Sequence, residues 1–172
     1  MKKAFAIAFL VLFTLVLKAE AGEFKIAYAD LQRALNECDA GVKAKDELKK
    51  EAQKIENELS ARQDELKKLK DEIDKKGSLW NKDTKDAKEK DLETKSQALQ
   101  KEFMRYGDEL NKKRGKREEE IIRELKDIVR DIAKEKGYAY VLEYSMGGII
   151  YGPQDADMTK DVIETHNKGA KK

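Results

Sequence analysis

Residues 42–76 read VKAKDELKKEAQKIENELSARQDELKKLKDEIDKK, with an apolar series at Leu48, Ala52, Ile55, Leu59, Leu66, Leu69 and Ile73. The steps are 4, 3, 4, 7, 3 and 4, and Arg62 is the polar occupant of the one missing place, so the heptad register is unbroken. Nearly everything between is Lys, Glu, Asp or Gln. An apolar stripe this narrow suits a coiled-coil seam better than a helix lying on a globular core. Gly77-Ser78 interrupts it, and a second helix is expected from near Ser78 or Asn81 to about Lys136. Its seam reads Leu92, Ser96, Leu99, Phe103, Tyr106 and Leu110, then Lys113 and Arg117, then Ile121, Leu125, Ile128 and Ile132. Leu110 to Ile121 is 11 residues, a four-residue stutter that locally unwinds a supercoil. Past it Ile122 and Val129 widen the stripe, which places the helix base in a core. Two heptad helices joined by a turn fold most simply into an antiparallel hairpin, an arm over 42–133. At 1.5 Å per residue, the segment 42–76 alone would project about 50 Å.

Outward from the arm, both flanks read as a compact body, 22–41 and 134–172. Phe24, Ile26 and Tyr28 alternate with small or polar residues, as in a half-buried strand. Asp30 is a candidate N-cap for a short helix through Leu31, Ala34 and Leu35, expected to end before Gly41. At the far end Tyr138, Tyr140, Leu142 and Tyr144 share one face of a strand. Ser145-Met146-Gly147-Gly148 reads as a hairpin loop, and Ile149-Ile150-Tyr151 as a short returning strand stopped by Gly152-Pro153. Asp157 is placed to cap a last helix carrying Met158, Val162 and Ile163. The body has only 59 residues, a size that buries about 60% of its unfolded surface. Its strands leave edges unpaired. Oligomerisation, with strands of several subunits completing a sheet or barrel, is the expected remedy. The fold class is thus α+β: a small oligomeric β body with a long antiparallel coiled-coil hairpin arm.

Residues 1–21 carry the marks of a secretory signal peptide. Lys2 and Lys3 precede an apolar run from Ala4 to Leu17, and Ala19-Glu20-Ala21 gives a small-x-small site for cleavage after Ala21. The run of 14 is short of the roughly 17–25 residues of a membrane span. No Cys follows it to carry a lipid anchor. Export is therefore expected.

The 172 residues include 37 Lys or Arg, 35 Asp or Glu, and one each of Pro, Cys, His and Trp. Charge at 42% far exceeds the roughly 25% of ordinary domains, with a net of only +2. Removing 1–21 takes away Lys2, Lys3, Lys18 and Glu20 and leaves 34 bases against 34 acids. A neutral mature chain weighs against nucleic-acid binding, which draws on a basic surplus. The block Lys112 to Arg117 is followed at once by Glu118, Glu119 and Glu120 and reads as arm surface. Cys38 reads as a small buried residue, or as half of an intermolecular disulfide; His166 reads as a surface residue near the C-terminus. With so little Cys and His, no metal site, cofactor or catalytic constellation is expected, and the chain is not expected to be an enzyme.

The order of strand, hairpin arm, strands and terminal helix behind a signal peptide resembles the Skp/OmpH family of periplasmic chaperones. The carrying segments are Phe24 to Leu31, Gly137 to Leu142 and Asp157 to Ile163, and the similarity covers essentially the whole mature chain. The resemblance implies a jellyfish-like homotrimer. Strands of three subunits build a small barrel from a body holding Phe24, Ile26, Tyr28, Tyr138, Tyr140, Leu142, Tyr144 and Ile149. Three arms enclose a cavity that holds unfolded outer-membrane proteins without ATP. Apolar residues off the seam, Leu79 and Trp80 at the tip and Met104 beside Phe103, are the candidate client contacts; Trp80 has the alternative of packing on Ile73 and Ala87. The tip departs from the basic tips of the family, since Asp74 to Asp91 holds six Lys and five acids, which weighs against direct membrane contact. The competing function is a secreted coiled-coil structural or adaptor protein of the cell envelope.

Overall fold

A computed structural model describes residues 24–169, so the expected signal peptide at 1–21 lies outside the described residues. The chain is α+β and mostly helical. Strand β1 (Ile26–Ala29) leads into helix α1 (Leu31–Glu37), then α2 (Asp39–Lys76) and α3 (Lys82–Lys136). Strand β2 (Tyr140–Glu143) and helix α4 (Thr159–Gly169) complete it. Asp30 caps α1 by accepting from the Arg33 amide at 2.7 Å, and Asn81 caps α3 by accepting from that of Thr84 at 2.8 Å. The turn between α2 and α3 is a single 3-10 turn, Gly77–Leu79.

α1 ends before Gly41, as expected, with the break at Cys38. The arm helix starts earlier than the expected Val42: α2 begins at Asp39, and Gly41 lies in its first turn. Cys38 is fully buried with a free thiol, and its Sγ accepts from the Gly41 amide at 3.4 Å. It caps the arm helix, a place usually taken by Ser, Thr, Asp or Asn.

β1 and β2 run parallel, Ile26 opposite Tyr140 and Tyr28 opposite Leu142. Parallel neighbours require a long crossover, and here the whole arm is that crossover. The returning strand expected at Ile149 to Tyr151 does not form: Ile150 is 96% and Tyr151 85% exposed, and the described sheet has two strands. The other edge of β1 is taken by Asp157 and Met158, whose amide donates to Tyr28 O at 3.0 Å. Between them Gly152 passes close against the Tyr28 ring, where a Cβ would sit 2.5 Å from Cε1.

The core takes the small side of β1. Ala27 and Ala29 pack with Leu35 of α1, Leu125 and Ile132 at the base of α3, and Val162 of α4. The large side chains of the sheet face away from it. Phe24, Ile26, Tyr140, Leu142 and Tyr144 are exposed, with Phe24 stacked near Tyr140 and Tyr28 near Tyr144, each pair at 5.4 Å between centroids. Tyr28 and Ile149 are half-buried, and Tyr138 packs against the core rim. His166 corrects its reading as a surface residue: it is 5% exposed, with Nε2 3.0 Å from Glu124 Oε2. It lies four residues after buried Val162, on the same helical face, so α4 docks on α3 through both.

Glu143 ties the sheet to α1. Its carboxylate accepts from Ser145 Oγ at 2.7 Å, from the Leu31 amide at 3.3 Å and from the Met146 amide. Partial burial works to raise its pKa, but the hydrogen bonds outweigh this and hold it below the ordinary glutamate value. A depressed folded-state pKa contributes stability above the unfolded value, lost as pH falls through the folded one. The Leu31 and Met146 amide resonances should therefore shift together at a pH below the ordinary glutamate value, and Glu143→Gln should abolish that step. An unchanged acid titration at both amides in the variant would refute the assignment.

Candidate functional site

The seam residues give the arm its site, because they do not close it. Ile73, next to the tip, is buried, while Leu48, Ile55, Leu59, Leu66, Leu69, Leu92, Leu99, Tyr106 and Leu110 are only half-buried. Phe103, expected to pack in the seam, is 69% exposed. Between α2 and α3, Ile55, Leu59, Leu66, Leu99, Phe103 and Tyr106 floor a groove of about 950 Å³. At 100° per residue the flanking positions of each helix fall on two opposite faces of the hairpin, and the two faces differ in chemistry. The groove opens on one face, where Ser60 and Gln63 stand on the α2 bank and Ser96, Gln100 and Gly107 on the α3 bank. Of its fourteen lining residues only Glu56 is charged. The depression on the opposite face has eight lining residues, five of them charged: Lys50, Glu51, Lys54, Glu58 and Glu109.

The charged face also carries the ties across the arm. Arg62 leaves its seam position to pair with Glu102 and, at 2.9 Å, with Glu58 of its own helix. The charge of Glu102 holds the guanidinium more firmly protonated, against partial desolvation. Lys113, in the stutter, pairs with Glu51, and Lys88 reaches Glu72 at 3.4 Å near the tip. Exposed pairs of this kind contribute about 0–1 kcal/mol each, so they set the spacing of the helices without clamping them. Arg117, the other polar stutter residue, bonds Glu120 of its own helix, and a second cavity of about 280 Å³ lies beside it at the arm root.

The three candidate contact residues are not brought together. Leu79 is 81% exposed at the tip, and beside it Trp80 is half-buried with Lys88 Nζ 5.8 Å from its ring centroid. Met104, 56% exposed, lies 22 residues into α3 from Lys82, about 33 Å down the arm. It adjoins the groove, next to Phe103. The sequence signal for the groove is the run of neutral Ser60, Gln63, Ser96 and Gln100 within an arm otherwise dense in charge; heptad spacing alone passes over it. Among the described residues no His, Cys, Asp and Glu cluster could hold a metal ion, and no helix is long and apolar enough to cross a membrane.

The model of the family described as outer membrane protein (OmpH-like) matches residues 25–165, from β1 through the arm to α4. The chain belongs to the OmpH-like family. No curated protein sequence matches it significantly. Among solved structures it is similar to an OmpH-like protein of Caulobacter crescentus CB15, a candidate outer membrane chaperone. The two share 17% identity and a TM-score of 0.79, with 84% of each chain covered. That likeness shows the OmpH-like fold, a small sheet with a long helical hairpin, in a chain of very different sequence.

Proposed function

We propose that this OmpH-like protein is an ATP-independent periplasmic holdase that binds unfolded outer-membrane proteins between its helical arms and prevents their aggregation. The observation that carries the reading is the half-closed seam: an apolar groove left open in an arm whose other surfaces are charged. Outer-membrane strands present apolar side chains on every second residue and aggregate in water. A holder of such chains needs modest apolar surface for many weak contacts and a charged coat that keeps the complex soluble. The mixed charge of the arm supplies that coat. In this reading the chain is exported and its signal peptide is cleaved after Ala21, and the work is binding, not catalysis, with no cofactor.

The assembly is a homotrimer in the same reading. The exposed sheet face of Phe24, Ile26, Tyr140 and Leu142, with the unpartnered Ile150 and Tyr151, supports association of bodies through strands and aromatic rings. Light scattering coupled to gel filtration should give three chains per particle, and a charged double variant, Tyr140→Asp with Leu142→Asp, should run as a monomer. Urea-unfolded outer-membrane barrel protein diluted into buffer should stay soluble at one trimer per client. Aggregation undiminished at that ratio would refute the holdase and favour the adaptor reading, in which one folded partner is bound.

A further inference from the structure

We infer that each arm is one-sided: its neutral face is a docking groove for a single extended, uncharged segment of about six residues with apolar side chains at alternate positions. This deepens the holdase reading and rests on it for the source of the segment. The length follows from the groove itself. From Ala52 to Leu66 the α2 bank spans about 21 Å at 1.5 Å per residue, which an extended chain covers in about six residues at 3.3 Å each. In such a chain every second side chain points the same way, so half of them enter the floor of Leu59, Leu99 and Phe103 while the rest face water.

Charge and hydrogen bonding select the occupant. A charged side chain entering the floor would lose its hydration with only Glu56 among the lining residues to compensate. The backbone N–H and C=O groups of an extended segment need partners along both sides. Ser60 and Gln63 on one bank and Gln100 on the other supply neutral groups that both donate and accept. A helix from a second copy fits less well. Its backbone groups are already paired, and apart from this face the arm would bring charge into the floor. The charged face offers the extended segment nothing equivalent.

Gly107 and Gly115 provide the test. A Cβ at either position would meet nothing within 4 Å, so both accept a side chain, yet only Gly107 lines the groove. Lys at either site makes the same change in charge and in helix propensity. The probe is a capped octapeptide alternating Val and Ser, labelled with a fluorophore, added to the mature full-length protein. Wild type and Gly115→Lys should bind it within twofold of one another, and Gly107→Lys at least roughly tenfold more weakly. An octapeptide with Asp replacing two Val residues should lose binding to wild type to a similar degree.

Equal binding by both lysine variants, or no binding by wild type, would overturn the groove. So would a fall in particle mass confined to Gly107→Lys without peptide, because the groove would then hold another copy of the chain. Suppression of barrel-protein aggregation, measured in parallel, keeps the two readings apart. Aggregation suppressed with no octapeptide bound leaves the holdase standing and removes the groove. Octapeptide bound in the groove with aggregation unchecked does the reverse.

Discussion

Leu125→Ala is expected to lower the stability of the body by about 2–5 kcal/mol, the range for truncating a fully buried leucine and leaving part of its volume empty. Leu125 is completely inaccessible at the base of α3, in the cluster that joins β1, α1 and α4. Domains as a whole retain only about 5–15 kcal/mol, and a body this small sits toward the lower end. The variant should therefore populate chains with an unfolded body at ordinary temperature. Leu99→Ala, earlier on the same helix and stripe but half-buried against an open groove, should cost far less, because water already reaches its surroundings. Urea midpoints read from the amide resonances of β1 and β2 in the body would decide it. Equal midpoints for the two variants would mean that the base of α3 is not the anchor.

Gly41→Ala is expected to destabilise by about 1–3 kcal/mol, against the usual sign for its position. Inside a helix, Gly to Ala ordinarily gains up to about 1 kcal/mol. Here the added Cβ would lie 1.7 Å from Leu35 O, a backbone atom at the end of α1, and 3.4 Å from Cys38 Sγ. Neither neighbour is the loose end of a flexible side chain, so α1 and α2 would have to move apart at the joint between body and arm. Gly115→Ala is the comparison, in open space, and should show the ordinary gain. Thermal unfolding followed by circular dichroism gives both signs in one experiment; a gain at Gly41 would show that the joint is slack.

The arm was legible because its signal is periodic. Leu48 to Ile73 and Leu92 to Leu110 announce a hairpin by spacing alone, and the widening at Ile121 marks where the helix meets the core. The same periodicity concealed the functional detail. A heptad says which side chains face the partner helix, not how near that helix comes, so Phe103 reads as packed although it is mostly exposed. His166 misled for the opposite reason: its distance from the chain end suggested solvent, whereas the four-residue step from Val162 puts it on the docked face. The start of α2 at Asp39 was hidden by Gly41, whose glycine answers a close approach within the helix and not a boundary between helices. Ile149 to Tyr151 have strand composition, but the hairpin that would lay them along the free edge of β2 does not form, and the chain instead brings Asp157 and Met158 to the other edge of β1.

The parallel pairing of β1 with β2 also orders events in time. Ile26 and Tyr140 are partners, yet the whole arm separates them along the chain. Closing so long a loop is slow for a disordered chain. The arm has a faster route of its own, zipping from the turn at Gly77–Leu79 by contacts between near neighbours in sequence. Each turn of α2 and α3 that pairs shortens the effective loop until the two strands are held side by side. A chain emerging N-terminus first would thus present β1 before β2 exists to pair with it. The appendage acts as the template for the domain that carries it.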